Sequence, residues 1–119
     1  MLRFDMTDEQ VKLAKSAVER APVALLWQTL GIAHYRAGNS NEAISALERA
    51  VELDKGADCT DGFFLAMAHW RRDDPQAKEK ARKWYDQAVT WMGKYNRQQT
   101  DENRRYRAEA AQLLGIKDK

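Results

Sequence analysis

Few side chains in this 119-residue sequence carry the chemistry of a site: two histidines, one cysteine and a basic stretch near the C-terminal end. His34 and His69 stand thirty-five residues apart in near-identical surroundings, Leu30-Gly31-Ile32-Ala33-His34-Tyr35-Arg36 and Leu65-Ala66-Met67-Ala68-His69-Trp70-Arg71. Two imidazoles invite a metal, but a site needs three or four ligands, and no cysteine or carboxylate recurs beside them. Packed, hydrogen-bonded histidines at equivalent positions are the better reading, with no metal or other cofactor implied. Neither histidine has a serine or cysteine at a spacing that would pair nucleophile with base. The sequence also lacks a glycine-rich phosphate loop. An enzyme is the least supported class.

Cys59 falls near an expected helix start, where the helix dipole can lower a thiol pKa. A residue filling the helix start is the plainer expectation. As the single cysteine it excludes an internal disulfide and points to a reducing compartment. The basic run Arg104-Arg105-Tyr106-Arg107, with Lys78, Lys80, Arg82 and Lys83 before it, interleaves cations and rings as single-strand nucleic-acid binding requires. Glu79, Asp86, Asp101, Glu102 and Glu109 dilute it. Nucleic acid is therefore the alternative reading, not the leading one. The formal charge is only +2, but residues 1–70 carry 7 Lys/Arg against 10 Asp/Glu and residues 71–119 carry 13 against 8. That polarity would steer an acidic partner toward the C-terminal half, although solvated outer helix faces account for it more simply.

These groups must be positioned by helices, because the apolar residues recur at helical spacing and only two prolines and six glycines interrupt them. Thr7-Asp8-Glu9-Gln10 is a capping-box pattern that opens a leading helix over 7–22, with Val11, Ala14 and Val18 on one face and Pro22 at its end. A second helix spans Val23 to Ala37, closed by Gly38 as a left-handed cap. Asn39, with Glu42 three residues on, is expected to cap a third helix over 40–54. A fourth runs from Asp58 or Thr60 to Arg72. Asp73-Asp74-Pro75 breaks it and starts a fifth, with Asp74 as N-cap and Pro75 at the first helical position. The fifth ends near Met92, residues 93–99 read as a polar loop, and a sixth helix runs from Thr100 or Asp101 to Gly115. The expectation is an all-α chain of about six helices and no strand. No stretch reaches the ~18–20 apolar residues of a membrane span, and residues 1–20 lack a secretory apolar run. A soluble, cytoplasmic protein is expected.

Self-similarity near 34–35 residues signals a two-helix repeat. Trp27-Gln28-Thr29-Leu30-Gly31-Ile32-Ala33-His34-Tyr35, followed by Gly38, Glu42-Ala43-Ile44, Leu47, Ala50 and Leu53-Asp54, resembles one complete tetratricopeptide repeat over 24–57. Residues 58–92 resemble a second, divergent repeat through Leu65, Ala66, Ala81 and Ala88. Residues 7–22 look like the second helix of a preceding repeat, and 100–115 like a capping helix. The second repeat departs from the first at Gly62, where Trp27 predicts tryptophan, at Ala66 in place of Gly31, and in a turn three residues longer, which leaves helix register open over 72–80. It resembles repeats appended to larger bacterial proteins such as kinases and WD-repeat proteins, so a fragment and a stand-alone relative both stay open.

The resemblance implies a single domain over 1–119, a right-handed superhelix of antiparallel helix pairs. It also implies a non-catalytic interaction module whose concave groove takes a partner's peptide or helix. The matching groove positions are Leu25, Gln28, Ile32, Tyr35 and Arg36 in the first repeat. In the second they are Thr60, Phe63, Met67, Trp70 and Arg71. Residues three and four apart share a helix face, which supports both sets. Such a surface suits a protein or peptide partner with apolar anchors and an acidic residue. Burial of the row under the terminal helices, as plain core, is the competing expectation. Gln28 and Ile32 stand where some family members grip a C-terminal carboxylate with Lys and Asn, which disfavours that mode. Self-association is a further possibility, since short arrays expose end faces.

Overall fold

The computed structural model describes residues 11, 23–54 and 58–117, and the chain divides into two compact units, Met1–Gly56 and Ala57–Lys119. Every regular element among the described residues is helical. The expected leading helix over 7–22 lies outside them save for Val11, which is helical and buried.

In the first unit, α1 (Ala24–Arg36) and α2 (Ser40–Leu53) form a hairpin. Gly38, at φ 88°, closes α1: its N–H donates to the Tyr35 carbonyl at 3.1 Å and the Asn39 N–H to the His34 carbonyl at 2.8 Å. This is the paired-bond helix ending that favours glycine at the left-handed residue. Gly31 marks the closest approach of the two helices, because a Cβ there would stand 2.5 Å from Leu47 Cγ. Leu30, Ala33 and Ala46 form the core with Val11, and Leu26, Trp27 and Ala37 pack around them. The capping box expected at Asn39 is absent. Asn39 occupies the N-cap position without a side-chain bond to the helix, since its amide nitrogen lies 3.4 Å from His34 Nδ1 instead.

In the second unit, α3 (Cys59–Trp70) pairs with α4 (Pro75–Lys94), a 3-10 turn follows at Asn96–Gln98, and α5 (Asp101–Leu114) packs onto α3. Side-chain caps open all three helices: Asp58 accepts from the Thr60 N–H at 2.9 Å, Asp74 from Ala77 at 2.7 Å, and Thr100 from Asn103 at 3.0 Å. The register left open over 72–80 resolves simply. α3 ends at Trp70, two residues short of expectation, and Asp73 takes a left-handed φ of 56° before Pro75 starts α4.

Every residue of α3 from Asp61 to His69 is buried, which fits a helix apolar on most sides. Gly62 faces Ala88, whose Cβ would lie 2.8 Å from an added Cβ. That contact accounts for the missing tryptophan, because α4 occupies the volume an indole would need. Residues 93–99 are not a plain polar loop: α4 continues to Lys94, and Gln98 is buried. Its Oε1 accepts the Cys59 backbone N–H at 2.7 Å, so the turn is tied to the start of α3.

Candidate partner-binding surfaces

On α1, Leu25, Gln28, Ile32 and Arg36 recur at intervals of three and four, so they share one side of the helix. Leu25 is 67% exposed, and Gln28, Ile32 and Arg36 are half-buried. The opposite side carries Leu30, Ala33 and His34 into the core. Tyr35 departs from the expected groove. Only 5% of it is exposed, because it lies one turn on from Gly31 along the side that meets α2. The Arg36 guanidinium sits 5.6 Å from the Tyr35 ring centroid, a distance at which the ring attracts a cation.

On α3, Thr60 and Trp70 are half-buried and Arg71 is exposed. Phe63 and Met67, expected as groove anchors, are wholly buried. The cause for Phe63 is α4, whose Tyr85 ring centroid lies 5.8 Å away. These two residues are therefore enclosed within the second unit and do not line an open groove. Trp70 is itself partnered: the Lys78 ammonium lies 3.8 Å from its ring centroid and 3.2 Å from Asp73 Oδ1.

The groups read as possible chemistry take structural places. His34 lines a depression with Trp27, Leu30, Asn41, Glu42, Ser45 and Ala46. His69 is buried, and its Nδ1 meets no hydrogen-bond partner among the described residues. Burial pushes its pKa below the ordinary value, Lys80 and Arg72 push the same way, and Asp74 opposes them. Cys59 is the reverse of a reactive thiol. Burial, helped by the Asp58 and Asp61 carboxylates and only partly offset by a backbone hydrogen bond, pushes it up to about 12. At neutral pH the sulfur keeps its proton, and the helix start does not activate it.

The basic stretch is largely neutralised along its own helices. Lys83 meets Glu79 at 3.5 Å, Arg82 meets Asp86 at 3.6 Å, and Arg104 meets Asp101 at 2.9 Å. Such exposed pairs add little stability, but they remove the unbroken positive face that a phosphate backbone needs.

A set of residues that sequence reasoning passed over joins α5 to α3. Thr60 Oγ1 donates to Asn103 Oδ1 at 2.6 Å, and Asn103 Nδ2 donates to the Gln98 carbonyl at 3.0 Å. One turn on, Phe64 and Tyr106 meet edge to face with centroids 4.8 Å apart. Asn103 sits among charged neighbours in the sequence, so its burial could be suspected only from the Thr100-x-x-Asn103 capping spacing.

No helix of the described residues is long and apolar enough to cross a membrane. A search of curated proteins gives no match to the chain. Residues 24–57 match the family model of the tetratricopeptide repeat, a span that begins with α1 and runs through α2 to the turn after it. Tetratricopeptide repeats generally mediate protein–protein interaction. The hairpin α1–α2, with its Gly31 contact and its Gly38 ending, is thus the segment that matches the tetratricopeptide-repeat model, in a chain whose described residues form helices and no strand.

Proposed function

We propose that this chain is a non-catalytic protein-interaction module that takes a helix or extended segment of a partner against the open side of α1. The carrying observation is the strip Leu25, Gln28, Ile32 and Arg36: a helix buried on its other side leaves Leu25 67% exposed beside Ile32. Apolar residues exposed together on one face mark contact sites more often than scattered single ones do. Leu25 and Ile32 would anchor an apolar side chain of the partner, Arg36 would pair a carboxylate, and Gln28 would hydrogen-bond the backbone between them. Trp70 and Arg71 offer a similar ring-and-cation pair in the second unit. Residues 58–92 serve in this reading as a divergent second repeat, 100–115 as its cap, and the module works in the cytoplasm.

The test is capture of a partner from source lysate by wild type beside Leu25→Ala and Arg36→Ala. Each substitution is expected to weaken capture by ~1–3 kcal/mol, the scale of interface anchors. Undiminished capture by both variants sinks the reading. Binding that instead falls steeply with salt and disappears on charge reversal at Arg104, Arg105 and Arg107 would point to nucleic acid.

A further inference from the structure

Shifted by thirty-five residues, the strip of α1 becomes Thr60, Phe63, Met67 and Arg71 on α3, with Thr29 becoming Phe64. The first strip is open at Leu25 and Thr29, which are both exposed. The second is covered at the matching residues: Thr60 is hydrogen-bonded to Asn103, and Phe64 packs against Tyr106. The face of the repeated helix thus leaves Leu25 and Thr29 exposed in one copy, and in the other α5 packs on the matching residues.

We propose that α5 is a built-in ligand of α3. It undocks as a unit to yield this strip to a partner helix with the same pair, a short amide or hydroxyl side chain followed three residues later by an aromatic ring. This rests on the reading above that such strips receive partner helices.

The way α5 is held makes it the displaceable element. Its first turn docks on α3 through the Thr60–Asn103 hydrogen bond and on the preceding turn through the bond from Asn103 to the Gln98 carbonyl, both of which water can replace at small net cost. Its apolar hold is narrow, with Ala110, Ala111 and Leu114 buried and the Tyr106 ring half-buried. Arg104, Arg105, Ala108 and Gln112 face outward. By contrast, α4 is pinned to α3 by wholly buried Phe63, by Tyr85, and by close approach at Gly62. Elements with few buried apolar contacts open before the rest of a fold. Gln99 is tied to α4 through its side-chain amide, which donates to the Met92 carbonyl, so the exposed Thr100 is the point about which α5 would swing while the turn before it stays in place.

Hydrogen exchange on the full chain supplies the first test and needs no variant. Amides of α5 are expected to exchange at least about tenfold faster than those of α3, the signature of opening short of global unfolding. Exchange of both at one common rate overturns the proposal. The second test adds a labelled synthetic peptide of residues 95–119 to the full chain. It is expected to bind, and to bind several-fold more tightly to the Asn103→Ala chain, whose own α5 is loosened. The same peptide carrying Asn103→Ala and Tyr106→Ala is expected not to bind. Absence of peptide binding to either chain overturns the proposal even where Leu25→Ala and Arg36→Ala reduce partner capture. Peptide binding with undiminished capture overturns the module reading alone.

Discussion

In α1–α2 the left-handed residue that ends the first helix is Gly38, at φ 88°, and thirty-five residues on, in α3–α4, it is Asp73, at φ 56°. The neighbouring position changes with it. Asn39 turns its amide to His34 and leaves α2 without a side-chain cap, whereas Asp74 caps α4 and leaves His69 Nδ1 without a partner among the described residues. Each hairpin satisfies one of two demands, the imidazole Nδ1 or the helix start, and among the described residues leaves the other. The points of closest approach differ too: Gly31 meets the Leu47 side chain, Gly62 the Ala88 Cβ and backbone one turn earlier in the register. The lesson is that a repeat spacing conserves the path of the chain but not the way each tight place is satisfied.

The largest expected effect separates the two glycines. Gly62→Ala puts a methyl 2.8 Å from Ala88 Cβ and 3.3 Å from its Cα, which cannot rotate away, so the helices must part. A loss of ~2–3 kcal/mol in denaturant unfolding is expected, the upper part of the overpacking range. Gly31→Ala puts a methyl 2.5 Å from Cγ of the wholly buried Leu47 and 3.3 Å from its backbone nitrogen, but the Leu47 side chain can turn and about 0.5–1 kcal/mol of helix propensity is gained, so a smaller net loss of ~1–2 kcal/mol is expected. Equal losses would show that the two approaches are alike after all.

Next come the helix starts. Asp74→Ala removes a cap and should cost ~1 kcal/mol, whereas Asn39→Ala, which removes no cap, should cost clearly less. The reverse order would break the exchange of roles described above. The left-handed positions should then respond in opposite directions. Gly38→Ala imposes about 1–2 kcal/mol of strain. Asp73→Gly relieves a smaller strain, since Asp tolerates this region, and loses an exposed pair to Lys78; a gain of a few tenths of a kcal/mol is expected. Destabilisation by Asp73→Gly would mean that the Lys78 contact holds the turn.

The smallest effect is the pH dependence of His69. Its pKa in the fold lies below the ordinary 6.5, so on acidification the unfolded chain takes up the proton first. Stability should therefore fall as pH drops below about 6.5 and level off once the folded imidazole also protonates. His69→Gln should flatten that slope. A stability profile that rises on acidification and depends on His69 would reverse the assignment.

Much of the fold could be read from residue types because helices are specified locally. Apolar spacing, the capping Asp74 and Thr100, and Gly38 as a helix ending act within a few residues of themselves, and their bonds are present as expected. The repeat over 24–57 was equally legible, since the family's residues lie in one continuous segment. The candidate surface was legible only in part. Helical spacing puts Leu25, Gln28, Ile32 and Arg36 on one side, but the same spacing at Phe63 and Met67 cannot say that α3 will be enclosed. Asn103 and Gln98 look like surface residues by type, and only the arrival of α5 on α3 buries them.

By itself, then, the sequence determined the helices, their ends and the repeat period, because those follow from backbone geometry and near-neighbour chemistry. The tertiary structure alone decided that α1 keeps Leu25 exposed while α3 is enclosed. It also decided which of two equivalent histidines finds a partner for its Nδ1 among the described residues, and whether a thiol at a helix start is activated or silenced. Those outcomes depend on what a distant segment brings close, and burial is a property of all the neighbours at once.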